Sequence, residues 1–363
     1  LEGETVMSAQ REIKSTWITI RPGRVSFRLD KRVPGVALAI LVFTFITLVF
    51  SISYGEYDIS PFEVVRTILN INQDHPDYAN YKLVVHTFRL PRIVLAFLVG
   101  AALATSGALM QGITRNPLAD PYLIGVSGGA SLAAVAVIVW LRNVPVGALP
   151  WAAFAGAGLT AAVIYILAWK GGKSTPIRLI LIGIALESIL GAVTTLMLLF
   201  GNINDVQQAY VWLTGSVYGR NWEHVRSLAS WLLIFLPAAF FMARQLNTLG
   251  LGDDTAKGLG LRVEWGRGLL MLISVALAAA SVAVAGTIGF VGLVAPHIAR
   301  RLVGPLHEGV LPVSALFGGA LLVLADLIGR WAIAPSELPV GVVTAMIGAP
   351  YFLYLFYRNR NQA

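Results

Sequence analysis

The chain has 363 residues, 56% of them hydrophobic and only 13% charged, against roughly a quarter charged in soluble domains. It has no cysteine, which excludes disulfides, thiolate metal sites and thiol nucleophiles. The formal net charge is +8, but the basic residues flank apolar blocks and form no stripe with aromatics. Membrane topology accounts for that pattern, and nucleic-acid binding is not expected.

The apolar blocks approach the roughly 20 residues a helix needs to cross a bilayer core. They predict an all-α integral membrane protein of about ten transmembrane helices. Leu1 to Val6 precede Met7, the first methionine, and are expected to be an expression scar outside the fold. Residues 1–33 form a basic cytoplasmic arm. The apolar block after it is too long for the core of a cleavable signal peptide. Spans are predicted at 34–53, 92–113, 123–141, 150–169, 177–200, 223–243, 267–286, 289–303, 311–331 and 339–357. The eighth is short and rich in Gly and Pro, so a partial or bent crossing is expected there. With ten crossings, most of the 27 Lys and Arg fall on one side, which places both termini in the cytoplasm. The spans make one domain, 34–357, followed by a cytoplasmic tail at 358–363.

Three connecting segments carry local signals. Ser60-Pro61-Phe62-Glu63 offers a capping serine, a proline at the first helical position and a glutamate at the third. A short external helix through Leu69 follows. Segment 205–219 is too short and polar to span and reads as an external or re-entrant helix. The cytoplasmic loop 245–264 reads as two short helices broken near Gly250 to Gly252, with Asp253 and Asp254 starting the second. No loop is long enough for a nucleotide-binding core. Any energy source therefore lies in another chain or in an ion gradient.

Lys170-Gly171-Gly172-Lys173-Ser174-Thr175 resembles the end of a phosphate-binding loop, but Leu167 stands where the first glycine belongs and no strand precedes it. A basic turn is the better reading. In the second span Gly100, Ala104, Gly107, Gln111 and Thr114 share one helical face. Small residues there permit close helix packing, and Gln111 suits either a packed network or a wet passage. Asn116-Pro117-Leu118-Ala119-Asp120-Pro121 is a rigid turn, and Gly125, Gly128 and Gly129 follow it. A gate and a tight inter-helix turn are both open for it. Asp326 stands four residues before Arg330, in register for an ion pair, whereas Glu187 has no partner on its own helix. Arg89, Arg92 and Arg330 sit at external span ends against the basic-inside trend. They read either as solvated loop charge or as a docking patch for an acidic partner. The five histidines are scattered, and no metal-ligand spacing or hydrolytic constellation appears.

Arg89-Leu90-Pro91-Arg92, the runs 100–130, 246–261 and 289–304, and Ala325 to Arg330 (ADLIGR) together resemble the FecCD family. Its members are the permease subunits of ABC importers for ferric siderophores, haem and vitamin B12. The resemblance covers about 85–357 and implies the vitamin B12-importer-like permease fold. It implies a subunit of the bacterial cytoplasmic membrane that dimerises around a central path and works with two ATPase subunits and an extracytoplasmic substrate-binding protein. ATP would act on the ATPase partner, and the chain would bind no cofactor or metal itself and would not be an enzyme. By that resemblance Arg89, Arg92 and Arg330 receive glutamates of the binding protein. By the same resemblance Asn116 and Leu118 match the cytoplasmic gate region and Ser174 and Thr175 a second gate; Gly107 and Gln111, from the small and polar face of the second span, are the residues expected on the path. Leu249, Gly252, Asp253, Asp254, Lys257 and Leu259 lie in helices that seat in the ATPase.

The arm 19–32 is similar to the second permease of hydroxamate or catecholate siderophore systems, which implies a heterodimer with a related permease and a ferric siderophore as cargo. Haem and vitamin B12 are the alternative cargoes, although the vitamin B12 members lack such an arm. The competing expectations are a gradient-driven transporter with Glu187 as its proton site and a passive channel.

Overall fold

The computed structural model describes residues 17–20, 27–55, 57–71, 73–141, 145, 147–334 and 336–359. The expectations for the scar at 1–6, for the rest of the arm at 7–16 and 21–26, and for 360–363 of the tail lie outside them. In the arm, strands β1 (Trp17–Ile20) and β2 (Phe27–Asp30) pair antiparallel. The reading of the arm as a basic segment did not anticipate this hairpin.

Helix α1 (Arg32–Ser53) follows, then α2 (Pro61–Ile68) and α3 (Tyr78–Lys82). The predicted cap of α2 is present, with the Ser60 hydroxyl accepting from the Glu63 amide at 3.3 Å. A π-helical stretch, Leu83–Arg89, leads from α3 into α4 (Leu90–Thr114). Pro91, the second residue of α4, has no N–H for the His86 carbonyl five positions before it, and that carbonyl accepts from Trp222 Nε1 at 2.8 Å instead. α4 stops at Arg115, whose φ of +53° is left-handed. A short 3-10 turn, Pro121–Ile124, opens α5 (Val126–Val135), which ends in a π-helical turn at Ala136–Trp140.

α6 (Ala148–Ala168) and α7 (Pro176–Leu199) flank a hairpin of β3 (Trp169–Lys170) and β4 (Lys173–Ser174). Gly171 and Gly172 turn it, both at positive φ, so the lysine-glycine run is the expected basic turn. α8 (Ile203–Leu213) begins two residues before the predicted non-spanning segment and fills its first half. The remaining helices are α9 (Trp222–Phe241), α10 (Ala243–Gly250), α11 (Asp253–Gly258), α12 (Val263–Ala285), α13 (Val291–Val303), α14 (His307–Trp331) and α15 (Val340–Asn359).

Among the described residues, seven segments are long and apolar enough to cross a membrane: α1, the stretch from α3 through α4, α6, α7, α9, α12 and α14. The other three expected crossings fall on shorter apolar stretches, 126–140, α13 and 340–354 within α15. The 13 residues of α13 extend only about 20 Å, short of the roughly 30 Å hydrocarbon core.

α4 and α12 form the buried centre of the bundle. Gly100 faces the backbone of Gly318 and Gly319 on α14, and Gly107 faces that of Gly292 on α13. Such close approach is how helices associate where lipid offers no hydrophobic drive. Two serines add a reciprocal clasp. Ser106 Oγ donates to the Ser274 carbonyl at 2.7 Å, and Ser274 Oγ donates to the Ser106 carbonyl at 3.0 Å. By contrast α7 is mostly exposed, with Ile177, Leu181, Ile189, Leu196 and Leu199 uncovered.

Candidate functional site

The end of the bundle formed by the α1 C-terminus, the α4 N-terminus and the α14 C-terminus gathers the three expected docking arginines. None is a free surface charge. Arg92 donates through Nε and Nη2 to Asp326 Oδ1 at 3.1 and 2.8 Å, and its Nη1 reaches Glu337 at 2.9 Å. Arg330 pairs with Asp326 Oδ2 at 3.4 Å, the expected turn-spaced pair, and donates to the Ser51 carbonyl at 2.9 Å and to the Ser51 hydroxyl. Arg89 binds main-chain carbonyls, those of Ile52 and of Tyr57, the latter at 2.8 Å. The three side chains thus clamp α1, α4 and α14 together, with one carboxylate shared between two of them.

At the opposite end lie the gate segments. Asn116 Oδ1 accepts from the Leu118 amide at 2.9 Å, so the asparagine closes the turn on itself while Leu118 projects outward. Asp120 Oδ1 caps the next turn by accepting from the Tyr122 amide at 2.9 Å. Burial pushes the Asp120 carboxyl up to about 6 despite that bond. The Tyr122 hydroxyl donates to the Ile288 carbonyl at 2.8 Å and accepts from the Ile288 amide at 2.9 Å, pinning the loop to the approach of α13. Ser174 is buried, and its amide and hydroxyl both donate to Glu264 Oε2 at 3.1 Å. Thr175 caps α7 with extended backbone and no side-chain cap bond.

Gly107 and Gln111 do not line a passage in this structure. Gly107 is closed off by the Gly292 backbone. Gln111 is 3% exposed, donates to the Leu293 carbonyl at 3.3 Å and accepts from Arg300. The small face of α4 serves helix packing because α13 and α14 cover it from within the same chain.

The loop 245–264 forms α10 and α11, broken at Gly250 to Gly252 as its glycines and aspartates predicted, with Gly252 at φ +107°. Its six candidate residues divide. Leu249 is buried, and Gly252 and Asp253 are half-buried toward the bundle. Asp254, Lys257 and Leu259 are exposed and point away from it. The Leu246 side chain covers Gly112 of α4. Asn247 donates to Glu308 at 2.6 Å and accepts from the His307 amide at 3.0 Å. The helix pair is therefore anchored to α4 and α14 along one edge and bare along the other.

Glu187 has partners from another helix. It accepts from the Ser127 hydroxyl at 2.7 Å and the Gly128 amide at 3.0 Å, which joins α7 to the start of α5. Beside it opens a cavity of about 370 Å³ lined by Asp120, Tyr122, Glu187, Phe290 and Leu293 among others. Among the described residues no group of three or more His, Asp or Glu could hold a metal ion.

The FecCD transport family profile matches residues 40–358. The chain belongs to the FecCD transport family. It is 43% identical over 94% of its length to the achromobactin transport system permease protein CbrC of Dickeya dadantii, covering 96% of that protein. It is 46% identical over 90% of its length to the Fe(3+)-citrate import system permease protein YfmE of Bacillus subtilis, again covering 96%. Among solved structures it matches an inward-facing metal-chelate type ABC transporter at a TM-score of 0.80, with 32% identity, over 90% of this chain and 99% of that one. The chain is thus a multi-pass membrane permease with an ABC-permease fold.

In this FecCD permease one set of residues had no signal in the sequence. Arg267, on the first turns of α12, is 1% exposed and donates to both Asp253 oxygens at 2.8 Å, to Glu264 at 3.1 Å and to the Ser174 carbonyl at 2.6 Å. Arg115 donates to the same Asp253 and to the Leu249 carbonyl, the latter at 2.8 Å. Burial alone would raise the Asp253 carboxyl, but the Arg267 and Arg115 guanidiniums outweigh it and hold the group below its ordinary value. Only an arginine unexpectedly close to a span start could have hinted at this network.

Proposed function

We propose that the chain is one membrane-spanning half of an ATP-driven importer that carries a ferric siderophore across the bacterial cytoplasmic membrane. The observation that carries the reading is the pair α10–α11, anchored along one edge and bare along the other at Asp254, Lys257 and Leu259. That is the form of a surface seated in a partner, here an ATPase subunit that hydrolyses ATP outside this chain. Relatives named for achromobactin and ferric citrate support an iron-chelate cargo.

In this reading both termini face the cytoplasm, and α10–α11 lie on the inner side. A second, related permease completes the path, and the mostly exposed α7 is available to face it. A loaded binding protein docks on the outer face near Arg89, Arg92 and Arg330. Since these arginines are already engaged, its acidic groups compete with or extend existing bonds. ATP closes the two ATPase subunits, α10–α11 move with them, and the segments at 116–120 and 174–175 open the inner side.

Co-purification from native membranes tests this, with mass spectrometry of the associated chains and an ATPase assay. A bound ATPase and a second permease, with hydrolysis stimulated by a ferric-siderophore binding protein, support it. A chain that purifies alone and drives uptake from a proton gradient overturns it. Stimulation by haem- or cobalamin-loaded binding protein instead would keep the importer and change the cargo.

A further inference from the structure

We infer that Arg267 is the residue through which movement of α10–α11 reaches the second gate segment, 174–175, from a carboxylate, Asp253, that also holds Arg115 at the root of the first. The inference rests on the coupling role proposed for that helix pair.

A guanidinium at 1% exposure has almost no water to bind, so its charge depends on protein partners. Arg267 takes them from three places in the chain. Asp253 belongs to α11, Glu264 to the α12 start and the Ser174 carbonyl to the β3–β4 hairpin. The contact with Asp253 is bidentate, with both oxygens at 2.8 Å, the geometry that fixes orientation as well as distance. A displacement of α11 therefore either carries the guanidinium along or strands a buried charge, and the second outcome is costly.

Asp253 is also the branch point. Its Oδ1 accepts from Arg115 as well as from Arg267. Arg115 closes α4 in a left-handed conformation and is followed directly by Asn116, so it sets the direction in which the 116–120 turn leaves the helix. One carboxylate on α11 thus holds the root of the first gate segment through Arg115. It holds the second through Arg267 and Ser174. Glu264 completes the linkage by accepting from the Ser174 amide and hydroxyl while it also accepts from Arg267. Two cations and two carboxylates balance, so the cluster can move as a unit without gaining net charge. The Arg267 Nε has no partner in this arrangement and leaves a donor available for a second one.

Arg267 acts through other groups and is a positioning residue. The test uses the complete transporter in lipid vesicles and reads cargo taken up per ATP hydrolysed. Arg267→Lys keeps the charge but loses the bidentate fork, and the ratio is expected to fall about tenfold. Because the chain has no cysteine, Lys173→Cys at this exposed position can carry a spin label. Its signal is expected to respond to ATP in the parent transporter and to stop responding in Arg267→Lys. A static brace would lower uptake and hydrolysis in proportion and leave the label responsive, which overturns the inference. Should the lysine variant fail to fold, Asp253→Asn, which keeps one acceptor, reads the same ratio. If the parent transporter itself shows no ATP-driven uptake, the coupling reading fails first, independently of Arg267.

Discussion

Arg92 and Asp326 lie 234 positions apart in the chain and meet through two donors on one carboxylate oxygen, at 2.8 and 3.1 Å. Asp326 is nearly fully buried, and Arg330 reaches its other oxygen at 3.4 Å. The pair joins α4 to α14, the same two helices whose glycines meet a few turns further on. An arginine that reads from sequence as an external docking charge is therefore also a structural clamp.

Asp326→Asn should consequently destabilise the fold as well as disturb docking. Breaking a buried pair costs roughly 3–5 kcal/mol. Glu337 remains for Arg92, so the loss should fall below that range. A lower melting temperature in detergent, together with weaker binding-protein affinity, is the expected outcome. Unchanged melting with weaker docking would mean that the clamp is not structural.

Gly107→Val should separate α4 from α13. A Cβ at Gly107 would fall inside the van der Waals shell of the Gly292 carbonyl oxygen, which is backbone and cannot rotate away. Overpacking of this kind costs about 1–3 kcal/mol, and the Gln111 bonds to α13 one turn on would be strained as well. Less folded chain in the membrane and a lower melting temperature are expected. A stable variant with altered cargo flux would return Gly107 to the path wall.

The boundaries of most long helices, the Ser60 cap and the break between α10 and α11 were legible because each follows from local periodicity or from residues within a few positions. The ion pairs were not. Asp326 and Arg330 could be matched by turn spacing, but Arg92, Glu337, Arg115 and Arg267 find partners through the fold. The face of Gly107 and Gln111 was legible as small and polar, but what it faces was not, because packing and lining use the same residues. The arm hairpin escaped detection because its strands are only four residues long.

Stability should depend on pH through Asp120. Its folded value, about 6, lies above the ordinary aspartate value of 3.8, so the folded state holds the proton more tightly. The Asp120 contribution is thus fully present below about 4 and is lost as pH rises through about 6. The loss is bounded by about 3 kcal/mol at roughly 1.4 kcal/mol per unit, and is less because the side chain is only half-buried. Asp120→Asn, which keeps an acceptor for the Tyr122 amide, should flatten that part of a melting-temperature profile. An unchanged slope would assign the dependence elsewhere.

Glu187→Gln separates the ATP-driven reading from a gradient-driven one. The carboxylate accepts from Ser127 and from the Gly128 amide, and a Cβ on Gly128 would collide with it, so the acid is built into the α5–α7 contact. A glutamine keeps one of those bonds and faces the other donor with an amide N–H, a loss of about 1 kcal/mol. That cost lowers the melting temperature slightly but removes no step from a cycle powered by ATP. Uptake in vesicles supplied with ATP should stay within about tenfold of the parent, since an effect confined to helix packing is worth no more than that. Abolished uptake with normal folding and undiminished ATP hydrolysis would instead give the Glu187 proton a part in transport, and a matching dependence on an imposed proton gradient would establish it.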